Sequence, residues 1–404
     1  MNLLYFHQHF STPNGTTGIR SYEMSKRLIE QGHKVTVVCG SYLGGDTGLG
    51  SKFIRGKREG TVDGINIIEF DLAYKNSDNF FKRSIVFLIF SFKSLLILFR
   101  KEYDTIFSTS TPLTAAIPGI FGRWLLGKKF IFEVRDLWPE LPKAMGVIKN
   151  PIYLIMLSAL EKLAYVSANK CIGLSPGIVS GMIKKGVKSK NIILVPNGCD
   201  LSLFQNSNSW RPDSIRESDF LCVYSGTHGI ANGLDSLLDV SLELQNQKIN
   251  NIKILLVGDG MMKDSLQKKS SKLALKNIIF HRPLPKKKLS ELLAGSDLGL
   301  QILKDVPAFY YGTSPNKFFD YLSAGLPIIC NYPGWISDII SNNNCGYVVN
   351  PDNALEFANI LIHASNNVNK LRQMGINSRK LAEDTFDRNL LAEDWINWVT
   401  KENF

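Results

Sequence analysis

Short apolar runs alternate with helical stretches along this chain of 404 residues, and this alternation limits the possible fold more than any other feature. The chain opens with a predicted strand at 3–7, a helix at about 19–30 and a second strand at 35–38. A strand, a helix and a further strand in this order are the unit of a parallel α/β sheet. Such sheets bind ligands beyond the carboxyl ends of their strands. We therefore predict an α/β fold with its functional site at that edge.

The same alternation begins again after a polar segment, which indicates two domains. The segment at 205–219 reads QNSNSWRPDSIRESD and predicts a linker. It separates an N-terminal domain at 1–204 from a C-terminal domain at 220–385, and a helix at 386–404 closes the chain. Within the first domain, glycine and basic residues at 40–64 predict a mobile loop.

The most apolar run lies at 85–99 and reads IVFLIFSFKSLLILF. As a helix it is about 22 Å long, which is too short for a hydrocarbon core of roughly 30 Å. Basic pairs flank the run at 82–83 and 100–101. Two interpretations stay open: a core helix, or a helix in the membrane interface whose basic flanks reach lipid headgroups.

The net charge of +11 requires an explanation, and we consider three anionic partners: a membrane surface, a phosphate-rich substrate or nucleic acid. No RNA-binding aromatic motif or zinc finger accompanies the basic clusters, which argues against nucleic acid. The six cysteines are scattered and the six histidines lack the spacing of zinc ligands. We therefore expect thiols in a reducing compartment and no structural metal. The opening MNLLYFHQHF lacks a basic n-region and is interpreted as a strand, not a signal peptide.

The stretch 313–327, TSPNKFFDYLSAGLP, carries the main indication of function. Ser314 followed by Pro315 predicts an N-cap and the first residue of a helix. A helix start presents unpaired N–H groups and a positive dipole end, which suit a phosphate. Lys317 lies in the first turn, and the carboxylate of Asp320, one turn further on, is placed to accept two ribose hydroxyls. The alternative is a capped core helix before a buried strand.

A loop between the first strand and the first helix also has the composition of a phosphate or sugar site. It contains Gly15, Thr17 and Gly18, where backbone can approach a ligand closely. There is no GxGxxG, so the sequence does not support a dinucleotide fold.

A third candidate region follows the predicted strand at 130–134. Arg135, Asp136, Trp138 and Glu140 crowd its carboxyl end, as is typical of an active site in a parallel sheet. The alternative is a structural Arg135–Asp136 network with Trp138 covering the core.

These motifs together resemble a known family. The segments concerned are GTTGIRSYEMSKRLIEQGHKVTVV, FEVRDLWPE, LVPNGCD, LLVGDG and SPNKFFDYLSAGLPII. Over nearly its whole length the chain resembles the GT-B glycosyltransferases of family 4, and within them the group that builds bacterial surface polysaccharides. It is similar to the N-acetyl-L-fucosamine transferases of O-antigen pathways.

The resemblance implies two Rossmann-like domains facing an interdomain cleft, with the final helix crossing back onto the N-terminal domain. It implies that the C-terminal domain holds a nucleotide-sugar donor and the N-terminal domain an acceptor. It further implies retention of anomeric configuration with neither a bound metal nor any other cofactor.

The chain departs from the family pattern at several positions. The second of two family glutamates corresponds to Asp320, which is shorter by one methylene, and the first falls on Gly312. Thr227 and Asn232 stand where the family often has Arg and Lys for the diphosphate. Arg135 stands where many relatives have His. We therefore expect Lys317 and helix N-termini to bind the negatively charged phosphates, with Arg282 or Arg20 as further candidates.

The expected site follows from the motifs and the resemblance together. The catalytic candidates are Asp136, Arg135 and Lys317, with Asp136 orienting the acceptor or the sugar. Glu140 and Trp138 are the expected acceptor contacts. The backbone at Arg282 and Leu284 is expected to meet the base. The expected donor-binding residues are Gly15, Thr17, Gly18, Gly226, Thr227, Arg282, Leu284, Ser314, Asn316, Lys317 and Asp320.

The predicted function is transfer of a sugar from a nucleotide-sugar, with UDP and UDP-N-acetyl-L-fucosamine as candidates, to a lipid-linked saccharide. The apolar run at 85–99 motivates the lipid, and we expect a peripheral protein on the anionic inner face of the bacterial plasma membrane. A nucleotide-sugar epimerase and a non-catalytic sugar-binding or membrane-binding subunit remain as alternatives. The sequence alone does not set the oligomeric state.

Overall fold

A computed structural model describes residues 1–74, 78, 80–205 and 208–401 of the chain. The protein forms two compact units. The first comprises Met1–Pro196 and Gly312–Ser314 together with the chain from Asn389 onward, and the second comprises Asn197–Tyr311 and Pro315–Arg388. The first unit ends at Pro196, which is earlier than the predicted domain boundary at 204. After Arg388 the chain belongs to the first unit again.

Strands and helices alternate through both units. The strands are β1 (Asn2–Phe6), β2 (Lys34–Tyr42), β3 (Lys57–Val62), β4 (Ile65–Tyr74), β5 (Thr105–Thr109), β6 (Lys129–Val134), β7 (Lys170–Gly173), β8 (Ile192–Leu194), β9 (Phe220–Ser225), β10 (Ile252–Val257), β11 (Ile278–His281), β12 (Leu298–Gln301), β13 (Ile328–Cys330) and β14 (Gly346–Val348). The helices are α1 (Arg20–Glu30), α2 (Phe80–Leu98), α3 (Ile117–Leu126), α4 (Glu140–Ala144), α5 (Pro151–Ser167), α6 (Pro176–Lys184), α7 (Leu201–Phe204), α8 (Asp235–Asn246), α9 (Lys263–Lys272), α10 (Lys286–Ala294), α11 (Pro307–Gly312), α12 (Asn316–Ser323), α13 (Trp335–Asn342), α14 (Ala354–Ser365), α15 (Val368–Asp384) and α16 (Arg388–Thr400).

The first unit is built on an eight-stranded sheet in the order β3-β4-β2-β1-β5-β6-β7-β8. All neighbours are parallel except β3 and β4, which form an antiparallel edge pair. The central strands β1, β5 and β6 are buried on both faces because helices cover a parallel sheet on both sides. The α/β prediction is therefore confirmed for this unit.

The predicted loop at 40–64 is wrong in part. Strand β2 continues to Tyr42, and β3 pairs along the whole of its length with the start of β4. The guanidinium of Arg58 bonds the buried Glu69 at 2.8 Å across this pair. Because the edge strand β3 is polar and contains glycine, it lacks the alternation of apolar residues by which a strand is predicted from sequence.

The closing helix α16 packs within the first unit. Trp395 is fully buried there, its ring centroid lies 5.1 Å from that of Phe107, and its Nε1 donates to Glu133 Oε2 at 3.3 Å. Lys170 Nζ donates to the carbonyl oxygen of Trp398 at 2.9 Å. Helix α16 is thus part of the hydrophobic core of the first unit, and residues 402–404 of the predicted closing helix lie outside the described residues.

The second unit is built on a six-stranded, fully parallel sheet in the order β11-β10-β9-β12-β13-β14. The described part of the predicted linker lies against this unit. Arg211 in it donates to the carbonyl oxygen of Gly295 at 2.5 Å and to the carboxylate of Asp297 at 3.0 Å. Ile215 is buried as well. Residues 208–219 therefore belong to the second unit's structure.

The apolar run of the first unit forms α2, which is longer than the predicted 85–99. One side of this helix enters the core through Phe90 and Ile97, whereas Phe92 and Leu96 are exposed. No helix among residues 1–74, 78, 80–205 and 208–401 combines the length and the hydropathy needed to cross a membrane.

Candidate active site

Helix α12 begins at Asn316, and Pro315 is its N-cap residue. The prediction that Ser314 is the N-cap is therefore wrong, since no side chain caps this helix. Ser314 falls in the segment Gly312–Ser314, which belongs to the first unit. Asn316 is exposed at the helix start. In this first turn the Phe318 N–H donates to the carbonyl oxygen of Pro315 at 3.1 Å, so the N–H groups of Asn316 and Lys317 are the ones that an anion can meet.

Lys317 lies across the carboxyl end of β9. Its Nζ is 4.8 Å from the centroid of the Tyr224 ring, and the Tyr224 hydroxyl donates to the carbonyl oxygen of Thr227 at 2.9 Å. A Cβ placed on Gly226 would lie 3.0 Å from Lys317 Cε and 3.5 Å from Nζ. Burial lowers the pKa of Lys317 to about 8, and Asp320 opposes this effect. The structure therefore brings together three sequence candidates, Gly226, Thr227 and Lys317.

Asp320 is buried, with 5% of its surface exposed, and is ion-paired with Lys286 through Oδ1. Burial raises the pKa of this carboxyl group, whereas Lys286 acts to lower it. Within the described part of the chain, no hydrogen bond to Asp320 Oδ2 is seen. One carboxylate oxygen is therefore engaged, and the other can accept a hydroxyl.

The turn after β9 is held without the two basic residues that the family often has there. Asn232 Oδ1 accepts a hydrogen bond from the Gly229 N–H at 3.3 Å. His228, fully buried, makes backbone bonds to Asp259 and Met262 of the next loop. Thr227 and Asn232 thus shape this turn and bring no charge to it.

The segment after β11 carries the two candidates for the base. Arg282 is exposed and Leu284 is partly buried. They precede Lys286, the first residue of α10, whose ammonium group reaches Asp320. Arg282 and Leu284 thus lie four and two residues before the lysine whose side chain contacts the carboxylate expected to bind ribose.

Polar side chains also gather at the carboxyl ends of β1, β5 and β6 in the first unit. Arg135 Nη1 donates to His7 Nε2 at 3.1 Å, and Thr111 Oγ1 donates to Asp136 Oδ2 at 3.0 Å. Because arginine can only donate, His7 carries its proton on Nδ1, which is 2.5 Å from Ser21 Oγ. Burial, followed by the charge of Arg135, holds the pKa of His7 well below its usual value.

Asp136 is the acidic member of this cluster. Burial raises the pKa of its carboxyl group, while the bond from Thr111 and the charge of Arg135 act in the opposite direction. His9 lies close by, and burial lowers its pKa to about 3. The first unit therefore presents a carboxylate beside a neutral histidine and an arginine.

Two other candidates at this edge have different surroundings. Trp138 is partly buried and packs against the hydrophobic core of the first unit, as the structural alternative for this residue held. Glu140 is exposed at the start of α4. The side chain of Glu140 is thus accessible to an acceptor, whereas much of the Trp138 side chain packs against the hydrophobic core.

Arg20 cannot meet a phosphate, so its inclusion among the phosphate candidates is wrong. Its guanidinium is 1% exposed and bonds Glu133 at 2.9 Å. Its remaining N–H groups donate to the carbonyl oxygens of Pro196 at 2.6 Å and Val195 at 2.9 Å. Burial acts to raise the pKa of Glu133, yet Arg20 and Arg135 lower it overall.

The glycine loop before α1 lies in the first unit and is bonded to a neighbouring loop. Gly15 donates its N–H to the carbonyl oxygen of Thr12 at 3.1 Å, and the Thr16 N–H donates to that of Gly44 at 2.9 Å. Thr17 Oγ1 is buried and has no hydrogen-bond partner in the described part of the chain. Gly18, like Thr17, is partly buried.

Sequence reasoning missed Lys286, Tyr224 and His7. In the sequence, Lys286 is one of three consecutive lysines, a pattern typical of a solvated face. His7 is the last residue of the predicted strand at 3–7. A strand-end polar residue is a usable signal in a parallel sheet, whereas nothing local singles out Lys286.

The comparisons with known proteins identify the class. Residues 15–198 match the family model described as glycosyl transferase 4-like domain, and residues 206–381 match that described as glycosyl transferases group 1. The chain therefore consists of two glycosyltransferase domains. Its fold is GT-B, as predicted, since it matches solved GT-B glycosyltransferases over their full length.

Individual relatives are distant in sequence. The chain is 23% identical over 324 residues to a putative colanic acid biosynthesis glycosyl transferase, WcaI, of Escherichia coli K12, covering 76% of this chain and 78% of that protein. Anabaena HepE, solved with UDP and glucose, matches with a TM-score of 0.69 and 16% identity over 99% of both chains. WaaG, a glycosyltransferase involved in lipopolysaccharide biosynthesis, matches with a TM-score of 0.69 and 16% identity over 99% of this chain and 100% of that one.

Proposed function

We propose that this protein is a retaining glycosyltransferase of surface-polysaccharide synthesis. The second unit would hold a nucleotide-sugar donor, and the first unit would hold a lipid-linked saccharide acceptor. The observation that carries the proposal is the position of Lys317, in the first turn of α12 and against Gly226 at the end of β9. The names of WcaI, HepE and WaaG support the substrate classes, namely UDP-sugars and bacterial polysaccharide.

The difficult step is departure of the nucleoside diphosphate, because negative charge grows on the leaving phosphate. Preorganised donors that face this charge stabilise the transition state. The ammonium group of Lys317 and the backbone N–H groups of Asn316 and Lys317, at the start of α12, supply such donors near Gly226. Since these groups are cationic or dipolar, we propose that the reaction needs no metal ion.

Residues at the carboxyl end of the second unit's sheet would also determine which donor is bound. We assign Asp320 to the ribose and the backbone at Arg282 and Leu284 to the base. UDP is the nucleotide of first choice, and UDP-N-acetyl-L-fucosamine is the donor suggested by the resemblance to O-antigen enzymes. The pyrimidine and the sugar are assigned by likeness, and the ribose by the available oxygen of Asp320.

In the first unit we assign the acceptor to the polar strand ends. Asp136 is held by Thr111 and faces Arg135, so its carboxylate is positioned to orient an acceptor hydroxyl. Arg135 takes the place at which many relatives have histidine, and its contact with His7 holds its guanidinium at this edge. Glu140 is exposed and is assigned to a more distant part of the acceptor.

Exposed apolar side chains on three neighbouring helices of the first unit support a lipid-linked acceptor and peripheral attachment to the inner leaflet. Helix α3 packs against both α2 and α5. Each of the three helices exposes large apolar side chains, and the basic residues Arg100 and Lys162 are exposed on or beside them. Apolar groups with basic neighbours match an anionic lipid surface. The exposed apolar residues include Leu88, Phe92, Trp124, Leu125, Ile155 and Met156.

The proposal is tested by incubating the purified protein with UDP-, GDP- and dTDP-sugars and a lipid-diphosphate saccharide, with and without EDTA. We expect mass spectrometry to show an acceptor heavier by one sugar, with equal yield in EDTA. NMR of the new linkage reports the anomeric configuration. A donor that changes configuration without acceptor indicates the epimerase, and failure to bind any nucleoside diphosphate indicates the non-catalytic subunit.

A further inference from the structure

Lys286 differs from the two lysines that follow it in the chain. Its ammonium group is ion-paired with Asp320, and its side chain is 12% exposed. Lys288 instead lies 4.1 Å from the centroid of the Trp210 ring and bonds Glu291 at 2.6 Å. Lys287 is exposed. Only the first member of the run therefore points to the proposed donor site.

The carboxylate that Lys286 meets has few other cationic neighbours. A buried carboxylate tends to take up a proton unless a cation or hydrogen-bond donors stabilise its charge. Arg388 is itself ion-paired with Asp200, and the ammonium group of Lys317 lies over the Tyr224 ring. The titratable and charged groups that face Asp320 are Lys286 from α10, Lys317 and Tyr321 from its own helix, Asp200 and Cys199 before α7, and Arg388 at the start of α16.

The ion pair leaves hydrogen-bonding capacity on both partners. Asp320 Oδ1 accepts from Lys286, whereas Oδ2 has no hydrogen bond within the described residues. An ammonium group carries three N–H donors. The pair can therefore accept from one hydroxyl through Oδ2 and donate to a second hydroxyl through Lys286. Vicinal hydroxyls, such as the 2′ and 3′ groups of ribose, satisfy both.

We infer that Lys286 is a positioning and specificity residue of the donor site, which keeps Asp320 ionised and makes the site select ribonucleotides over 2′-deoxyribonucleotides. This inference rests on the proposed function. The Lys286–Asp320 pair as a whole recognises the ribose. Asp320 is one methylene shorter than the glutamate that the family often has, and the long side chain of Lys286 reaches it. Without Lys286, Asp320 would be a buried carboxylate without its main counter-charge, and its pKa would rise further, which favours the protonated form.

The experiment compares UDP and GDP with their 2′-deoxy forms by calorimetry on the full chain. We expect the wild-type protein to bind the preferred ribonucleotide about tenfold more tightly than its deoxy form, the size of one lost hydrogen bond to a charged group. In Lys286→Met we expect this preference to fall to within about twofold at pH 7 and to reappear partly as the pH is raised to 9, because a higher pH favours the ionised carboxylate. Lys286→Arg should restore the preference at both pH values.

Lys287→Met is the matched control, because it removes the neighbouring positive charge without touching Asp320, and it should bind like the wild type. An unchanged ribose preference in Lys286→Met, or equal weakening of both nucleotides at both pH values, overturns the inference and leaves the proposed function standing. A wild-type protein that binds neither UDP nor GDP contradicts the proposed function and the inference with it.

Discussion

The ammonium group of Lys317 lies 4.8 Å from the centre of the Tyr224 ring, so the first turn of α12 meets the end of β9. The ring stabilises part of the lysine charge through a cation–π interaction. Tyr321, also from α12, accepts the Ser225 N–H at 3.1 Å and donates to the Val223 carbonyl oxygen at 3.1 Å. The helix and the strand are therefore fixed relative to each other, and so is the lysine.

Lys317→Ala is expected to lower transferase turnover by at least about tenfold, or roughly 1.4 kcal/mol of transition-state stabilisation. The substitution removes the cation that faces the departing phosphate. Initial rates with saturating donor and acceptor measure the effect. Lys287→Ala, which removes a charge from an exposed position, serves as the control. Turnover close to the wild-type value in Lys317→Ala would exclude this lysine from the mechanism.

The affinity for UDP is expected to fall as the pH rises above about 8. Burial lowers the pKa of Lys317 to about 8, so the free protein loses this positive charge above that value. A diphosphate binds the charged form, hence affinity falls by up to about tenfold for each further pH unit. Calorimetry from pH 7.5 to 9.5 measures it. Lys317→Arg should bind independently of pH in this range, because arginine stays charged. A flat wild-type profile would contradict the assignment.

Asp136→Asn is expected to reduce sugar transfer by about 100-fold or more while UDP affinity stays within about twofold. The carboxylate lies in the first unit, bonded by Thr111, whereas the proposed donor site is in the second. The two readouts are the initial rate of transfer and the dissociation constant of UDP. For comparison, Glu140→Gln should raise the acceptor KM and leave kcat nearly unchanged. Weakened UDP binding in Asp136→Asn would place this residue with the donor instead.

Ile155→Asp is expected to reduce flotation of the protein with anionic vesicles by about tenfold or more. Ile155 is 68% exposed on α5, and a carboxylate there opposes both burial in lipid and attraction to anionic headgroups. Val368→Asp is the control, because Val368 is also 68% exposed but lies on α15 of the second unit. Equal binding of the two variants, or no flotation of the wild type, would count against this membrane surface.

Much of the fold could be predicted from the sequence because its elements are local. The predicted strands at 3–7 and 130–134 correspond to β1, Asn2–Phe6, and β6, Lys129–Val134, within one residue at each end. A continuous apolar run flanked by turn residues defines a parallel strand without reference to the rest of the chain. Edge strand β3 lacks that pattern, since its pairing with β4 depends on backbone bonds and not on apolar side chains. The missing cap on α12 is a similar case, because Ser314 has a capping residue type but not the capping position.

The sequence by itself determined two α/β units, their order along the chain and the position of Lys317 and Asp320 one turn apart on the same helix. Only the tertiary structure decided which lysine of 286–288 forms the ion pair with Asp320. It also decided that Arg20 is ion-paired with Glu133, and that His7 contacts Arg135, 128 residues away. Spacing within one element follows from the geometry of the helix or strand. Contacts between elements depend on how the chain packs in space, and a run of like residues carries no local signal of that choice.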